Sequence, residues 1–186
     1  MLGGSISEED YNFLVMPKLI KSPKYFKSLT RGKFILHPDF IEDSVKQKAF
    51  VGTSKYEYGN PNFDCPLVQR PGLEELINGP YACRQAIKHC PQKYRDGLFT
   101  DMKFIIVCSQ QDKRKIFSEV IVCGGGKVVE PAFEEAALKR EKINYCLTES
   151  SITGQQMKLL QACNIPIKNV KFIYEYLLSS NLMNKV

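Results

Sequence analysis

An α/β fold built from two copies of one module is what this sequence predicts, and three observations predict it. Between residues 11 and 45, short apolar runs alternate with stretches of helical spacing, the pattern of parallel strands covered by helices. A weaker copy returns near the C-terminus at a constant offset of 132: Asn12-Phe13 with Asn144-Tyr145, Ile35 with Ile167, and Phe40-Ile41 with Phe172-Ile173. A fixed offset across two strands and a helix is the mark of a duplicated module. The stretch between the copies, residues 50–100, is punctuated by glycine and proline. It also carries Tyr56, Tyr58, Phe63, Tyr81, Tyr94 and Phe99, which marks an ordered bridge rather than a flexible tether.

In chain order, a buried strand is expected at Asn12 to Met16, ended by Pro17. Lys18 to Lys21 form a basic turn. Ser22 is placed as a helix N-cap and Pro23 as the first helical residue, with Tyr25, Phe26 and Leu29 at helical spacing and Gly32 closing the helix. Phe34 to Leu36 read as a second strand. Asp39 to Lys48 read as a helix with Phe40, Ile41 and Val45 as its apolar stripe. In the bridge, one helix is expected from Pro80 to Cys90 and a separate turn at Leu73 to Ile77.

The second half begins with a strand at Met102 to Cys108 and a polar loop at Ser109 to Arg114. A helix follows at Ile116 to Cys123, with Ile116, Val120 and Ile121 inward and Gly124-Gly125-Gly126 as its cap. Then come a strand at Lys127 to Val129, a charged helical stretch at Phe133 to Lys142, and a strand at Tyr145 to Leu147. A helix at Gly154 to Ala162, a strand at Ile165 to Ile167 and a helix at Val170 to Leu178 complete it. The glycine turns at Gly3-Gly4-Ser5-Ile6 and Gly125-Gly126-Lys127-Val128 lie 122 residues apart. By that spacing, the first copy lacks the opening strand and helix that the second has, so a fragment or shortened gene model is expected.

The 186 residues are 44% hydrophobic and 25% charged, an ordinary globular balance. The net charge of +6 favours acidic partners but falls short of the footprint of a dedicated nucleic-acid binder. The seven cysteines include no CxxC pair, and several lie in apolar runs such as FIIVC, the usage of reduced core thiols. His89-Cys90 with Cys83 lacks a fourth ligand at matching spacing, so no metal site is expected. No apolar stretch is long enough for a membrane span. Cys123-Gly-Gly-Gly-Lys127 superficially suggests a nucleotide loop. It follows a helix rather than a strand, and no other catalytic box is present, so neither an enzyme nor a cofactor is expected.

KSPKYF, RGKFIL, KYEYG, VCSQQDKRK and GGGKVV, in this order and with the repeat offset, resemble the tandem BRCT repeats of the DNA-damage response. Within that family these stretches are most similar to the SMC five–six localisation subfamily, with the checkpoint-mediator and PAX-interacting types next. Phenylalanines 40 and 172 stand where the family usually carries a tryptophan, a mild departure. The resemblance implies two α/β modules, each a four-stranded parallel sheet flanked by helices, packed head to tail. It divides the chain into a first repeat at 1–50, incomplete at its N-terminal side, a linker with a helix at 51–100, and a second repeat at 101–186.

The resemblance also implies a task, the binding of a phosphoserine peptide by a nuclear scaffold. Lys24 matches the lysine that holds the phosphate and Ser22 the hydroxyl residue two positions before it. Lys21 matches a basic position facing the seam between repeats. Phe26 matches the aromatic lining the selectivity pocket, with Tyr174 as the opposite wall. The hydroxyl-bearing loop that completes the family's phosphate site would precede Met1. The partner implied is a phosphorylated protein, with at most weak DNA contact, no membrane and no defined oligomeric state. A phosphorylation-independent protein module and a direct DNA-end binder are the competing readings. By the 132 offset, Gln156 stands where the first copy has Lys24 and Thr153 where it has Lys21. Only the first copy offers the cation.

Overall fold

A computed structural model describes residues 11–67, 72–130, 132–149 and 152–179. The expected Gly3-Gly4-Ser5-Ile6 turn lies outside the described residues. The elements run β1 (Phe13–Val15), α1 (Pro23–Thr30), β2 (Phe34–Leu36), α2 (Asp39–Gln47), α3 (Leu73–His89), β3 (Lys103–Val107), α4 (Gln111–Cys123), β4 (Lys127–Val129), α5 (Glu135–Glu141), β5 (Tyr145–Thr148), α6 (Gly154–Ala162), β6 (Ile167–Asn169) and α7 (Phe172–Leu178). All strand pairs are parallel, in a two-stranded sheet β1-β2 and a four-stranded sheet β4-β3-β5-β6.

The duplication survives at the level of single residues. Leu14 pairs with Ile35 in the first sheet, and Cys146 pairs with Ile167 in the second, each partner shifted by the same offset. The outer edge of β2 is covered by the bridge. Tyr58 N–H donates to the Ile35 carbonyl and His37 N–H to the Tyr56 carbonyl, so these backbone groups are not left unpaired.

Helix α1 is where the halves meet. Its face, with Tyr25, Phe26 and Leu29 wholly buried, packs against α4, α3 and α7. Its start and stop are those the sequence predicts. Ser22 Oγ accepts from the Tyr25 N–H at 3.2 Å, and Pro23 holds the first turn. At the other end Gly32, with φ of 61°, donates to the Leu29 carbonyl while Lys33 donates to Ser28, the paired bonds of a glycine-terminated helix. Past α1, Leu98 N–H donates to Thr30 and Phe99 N–H donates to Gly124. One short segment thereby ties the C-terminal ends of α1 and α4 together. Gly97 allows this approach, since a Cβ there would lie 2.7 Å from the Thr30 carbonyl oxygen.

Several expectations need correction. Among the described residues, Leu73–His89 form one α-helix, α3, rather than a turn and a separate helix, because it runs through Pro80. Pro80 has no N–H for the Leu76 carbonyl four residues earlier, and the Tyr25 hydroxyl donates to that carbonyl instead, at 2.7 Å. The polar stretch at 109–114 is not all loop, since α4 starts at Gln111 and its polar first turns lie on the surface. Phe117, not Ile116, is the buried residue of its first half. The last strand sits at Ile167–Asn169, two residues later than expected. On α2 only Phe40 of the expected stripe is buried. Ile41 and Val45 are 41% and 71% exposed, because no described element covers that face.

A buried ion pair ties two parts of the bridge together, the segment beside β2 at Glu57 and helix α3. Glu57 has no exposed side-chain surface, and Arg84 of α3 grips both its oxygens at 2.6 Å.

Candidate anion-binding site

The outward side of α1 carries the opposite chemistry from its buried side. Lys24, Lys27 and Arg31 recur at three- and four-residue spacing, so they share one face of the helix. Together with Lys33, Tyr11, Ser22, Pro23 and Cys123 they line a cavity of about 340 Å³. Four cations and, among the described residues, no acidic side chain form this lining.

The cavity is braced from within. Tyr11 Oη and Ser28 Oγ share a hydrogen bond of 2.7 Å, and Ser28 donates on to the Lys24 carbonyl. The Tyr11 ring so fixed carries two ammonium groups, Lys24 Nζ at 5.8 Å and Lys33 Nζ at 5.7 Å from its centroid. Lys27 reaches the other way, to Glu119 of α4 at 2.7 Å. That hydrogen bond with Lys27 holds the Glu119 carboxyl below the usual glutamate range. Arg31 Nη1 donates to the Asp96 carbonyl at 3.0 Å, which orients the guanidinium.

Of the residues singled out in the sequence, Lys24 and Ser22 come together here. Ser22 Oγ spends its acceptor on the helix cap, and its O–H remains a donor at the same end of α1. Lys21 is exposed and precedes the helix. Lys18 also precedes it and lines a separate cavity of about 430 Å³ with His37, Tyr58 and Leu73. Lysines 18, 21, 24 and 27 recur every three residues but do not share one helical face, because the helix begins only at Pro23.

Phe26 and Tyr174 do meet across the seam, but as a stack. Their ring centroids lie 3.9 Å apart at 18°, and Phe117 also packs against Tyr174, at 5.3 Å. Phe26 has no exposed surface, so it fills the junction between repeats rather than lining an open pocket. Arg31 and Lys33 escaped the sequence reading. Only the helical wheel of α1 and the return of the chain into β2 bring them beside Lys24.

One donor cluster of another kind occurs among the described residues, with His37, Asp39 and Cys65 ligand atoms within 4.8 Å of one another. His37 Nδ1 is 3.1 Å from Asp39 Oδ1. Burial and the nearby Asp39 and Asp64 push the Cys65 thiol up to about 11, and its Sγ donates to the Lys55 carbonyl. A thiol so protonated acts as a clasp for the turn.

Comparison with known proteins now bears on both halves. Residues 2–58 match the family model described as the Regulator of Ty1 transposition protein 107 BRCT domain. The crystal structure of the BRCT5-BRCT6 domains of S. pombe Brc1 superposes with a TM-score of 0.65, covering 92% of this chain and 79% of that one at 12% identity. The chain has a tandem BRCT fold. In the BRCT pair, α1 is the helix at the junction, and the cationic cavity lies along its exposed face, bordered by Cys123 of α4 from the second half.

Proposed function

We propose that this BRCT pair is a protein-interaction scaffold of the nuclear DNA-damage response, and that it reads phosphoserine on a partner protein. The unit is a first repeat at about 1–50, a linker and a second repeat from about 101 onward, with the phosphate site in the first repeat. The observation that carries the reading is the cationic basin at the start of α1, where Lys24 and Ser22 stand at the positive end of the helix dipole and no acidic side chain of the described residues enters the lining.

The chemistry follows from those groups. A phosphoserine carries about −1.5 to −2 charge at neutral pH and three strong acceptor oxygens. An ammonium supplies compact charge and up to three donors, and amides at a helix start point the same way. Ser22 adds a hydroxyl donor. Because the phosphate's second ionisation lies near pH 6, binding should weaken as pH falls through that value.

Fluorescence anisotropy with matched phosphorylated and unphosphorylated serine peptides tests this. The phosphorylated peptide should bind at least about tenfold more tightly, and Lys24→Glu should abolish the difference. Equal affinity for the two peptides would reject the reading. Duplex DNA binding with a steep salt dependence, and no preference between the peptides, would favour a DNA binder instead.

A further inference from the structure

We infer that His37, Asp39 and Cys65 form a binding site for one Zn²⁺ ion, and that the bound ion fastens the bridge to the junction of β2 with α2. None of the three lines the cationic basin, so the inference is independent of the phosphoserine reading.

A nitrogen, a carboxylate oxygen and a sulfur from these side chains lie within 4.8 Å of one another. The set is invisible in the sequence, because it comes from three segments. His37 directly follows β2, Asp39 opens α2, and Cys65 belongs to the bridge. Backbone contacts hold those segments in place before any ion arrives. His37 N–H donates to the Tyr56 carbonyl at 2.8 Å, and Asp64 N–H donates to the Lys55 carbonyl at 2.9 Å. Each of the three residues is half-buried, so the donors are positioned yet reachable. His37 also lines the cavity of about 430 Å³ beside Pro66, which gives an entry path.

The distances are close to those of a tetrahedral site. His37 Nδ1 stands 3.1 Å from Asp39 Oδ1. Two ligands with bonds of about 2.0–2.1 Å in a tetrahedron lie about 3.3 Å apart. The sulfur has about 1 Å to close, since its edges to nitrogen and oxygen would be about 3.6 Å. Imidazole, carboxylate and thiolate together suit Zn²⁺, whereas Mg²⁺ and Ca²⁺ take oxygen ligands. With three protein donors, water completes the tetrahedron. Asp39, Asp43 and Asp64 all lie near enough to act electrostatically on Cys65, a concentration of negative charge that draws in a cation. Lys46, paired with Asp43 at 3.1 Å, offsets part of it.

Little is lost when the ion enters. It takes the place of the Cys65 proton, which leaves to solvent. The Lys55 carbonyl that Cys65 Sγ serves keeps the Asp64 N–H. The Asp39 N–H, which donates to His37 Nδ1 at 3.3 Å, lies in the first turn of α2, where an amide has no partner within the helix and water can serve it.

The test uses the whole 186-residue chain, stripped with a chelator under reducing conditions and titrated with Co²⁺ as a spectroscopic substitute for Zn²⁺. One equivalent should saturate it, giving the visible bands of tetrahedral cobalt and a thiolate charge-transfer band in the near ultraviolet, and Zn²⁺ should displace the cobalt. Zn²⁺ should also raise the melting temperature of the wild-type chain. Cys65→Ser should remove the charge-transfer band, and His37→Gln should weaken binding by at least about tenfold. Cys108→Ser, which alters another half-buried thiol, should change neither. No saturable uptake by the wild-type chain would overturn the inference. A charge-transfer band that survives Cys65→Ser, or one lost in Cys108→Ser, would place the metal at other thiols and would also overturn it.

Discussion

Helices α1 and α6 hold the same place in their repeats, one offset apart, and differ in almost everything beyond the backbone. Tyr25, Phe26 and Leu29 of α1 are wholly buried, while Met157, Lys158 and Gln161 at the equivalent places on α6 are exposed. On the outward face, Lys24, Lys27, Arg31 and Lys33 correspond to Gln156, Leu159, Cys163 and Ile165. Both helices start with a hydroxyl cap, Ser22 in one and Thr153 with Gln156 in the other. The local fold needs only the cap and the apolar contacts to its own sheet. Everything else on α1 answers to its position between the repeats, which buries one face and reserves the other for charge.

The comparison breaks most visibly at Phe26. Phe26→Ala removes a buried, stacked ring and should cost about 3–5 kcal/mol in denaturant unfolding. Lys158→Ala, at the equivalent place, should change stability by no more than about 0.5 kcal/mol. Similar losses at the two positions would mean that α1 is no more enclosed than α6.

Tyr25 sharpens it at an intermediate scale. Tyr25→Phe should cost about 1–3 kcal/mol, because the Leu76 carbonyl then has no donor in place of Pro80. In a Pro80→Ala background the new N–H can serve that carbonyl, and the cost of Tyr25→Phe should shrink by about 1 kcal/mol. Additive losses in thermal or denaturant melts would refute the substitution of hydroxyl for amide.

The smallest effect belongs to the Lys27–Glu119 bridge between α1 and α4. Pairing lowers the folded carboxyl below its unfolded value. Its contribution is therefore present above the ordinary glutamate range and fades as pH falls through the lowered folded value. Glu119 is exposed enough for water to screen most of it. Glu119→Gln should slightly flatten the acid limb of stability against pH, and an unchanged limb would remove the bridge from the account.

Much of this was legible in the sequence because it is local or periodic. The offset matched β1 to β5 and β2 to β6 as copies of one another. Ser22-Pro23 and Gly32 gave both ends of α1, and Lys24 and Ser22 gave the start of the basin. What was not legible depends on contacts between distant segments. Proline statistics break a helix at Pro80, and nothing near it in sequence announces that Tyr25 will supply the missing donor. Val45 follows an apolar stripe, yet no described element covers that face. Phe26 and Tyr174 lie far apart in the chain, and only the closed seam turns an expected pocket wall into a stack. Arg31 and Lys33 sit beyond the helix that displays Lys24, joined to it by the Tyr11 ring.

The central claim is that the anion site belongs to α1 and has no counterpart on α6. Titrating the ¹⁵N-labelled protein with O-phosphoserine and following backbone amide shifts tests it most directly. The account predicts saturable shifts clustered from Ser22 to Lys33, with residues 153–162 unmoved. Shifts centred on residues 153–162, or spread evenly over the basic surface, would contradict it.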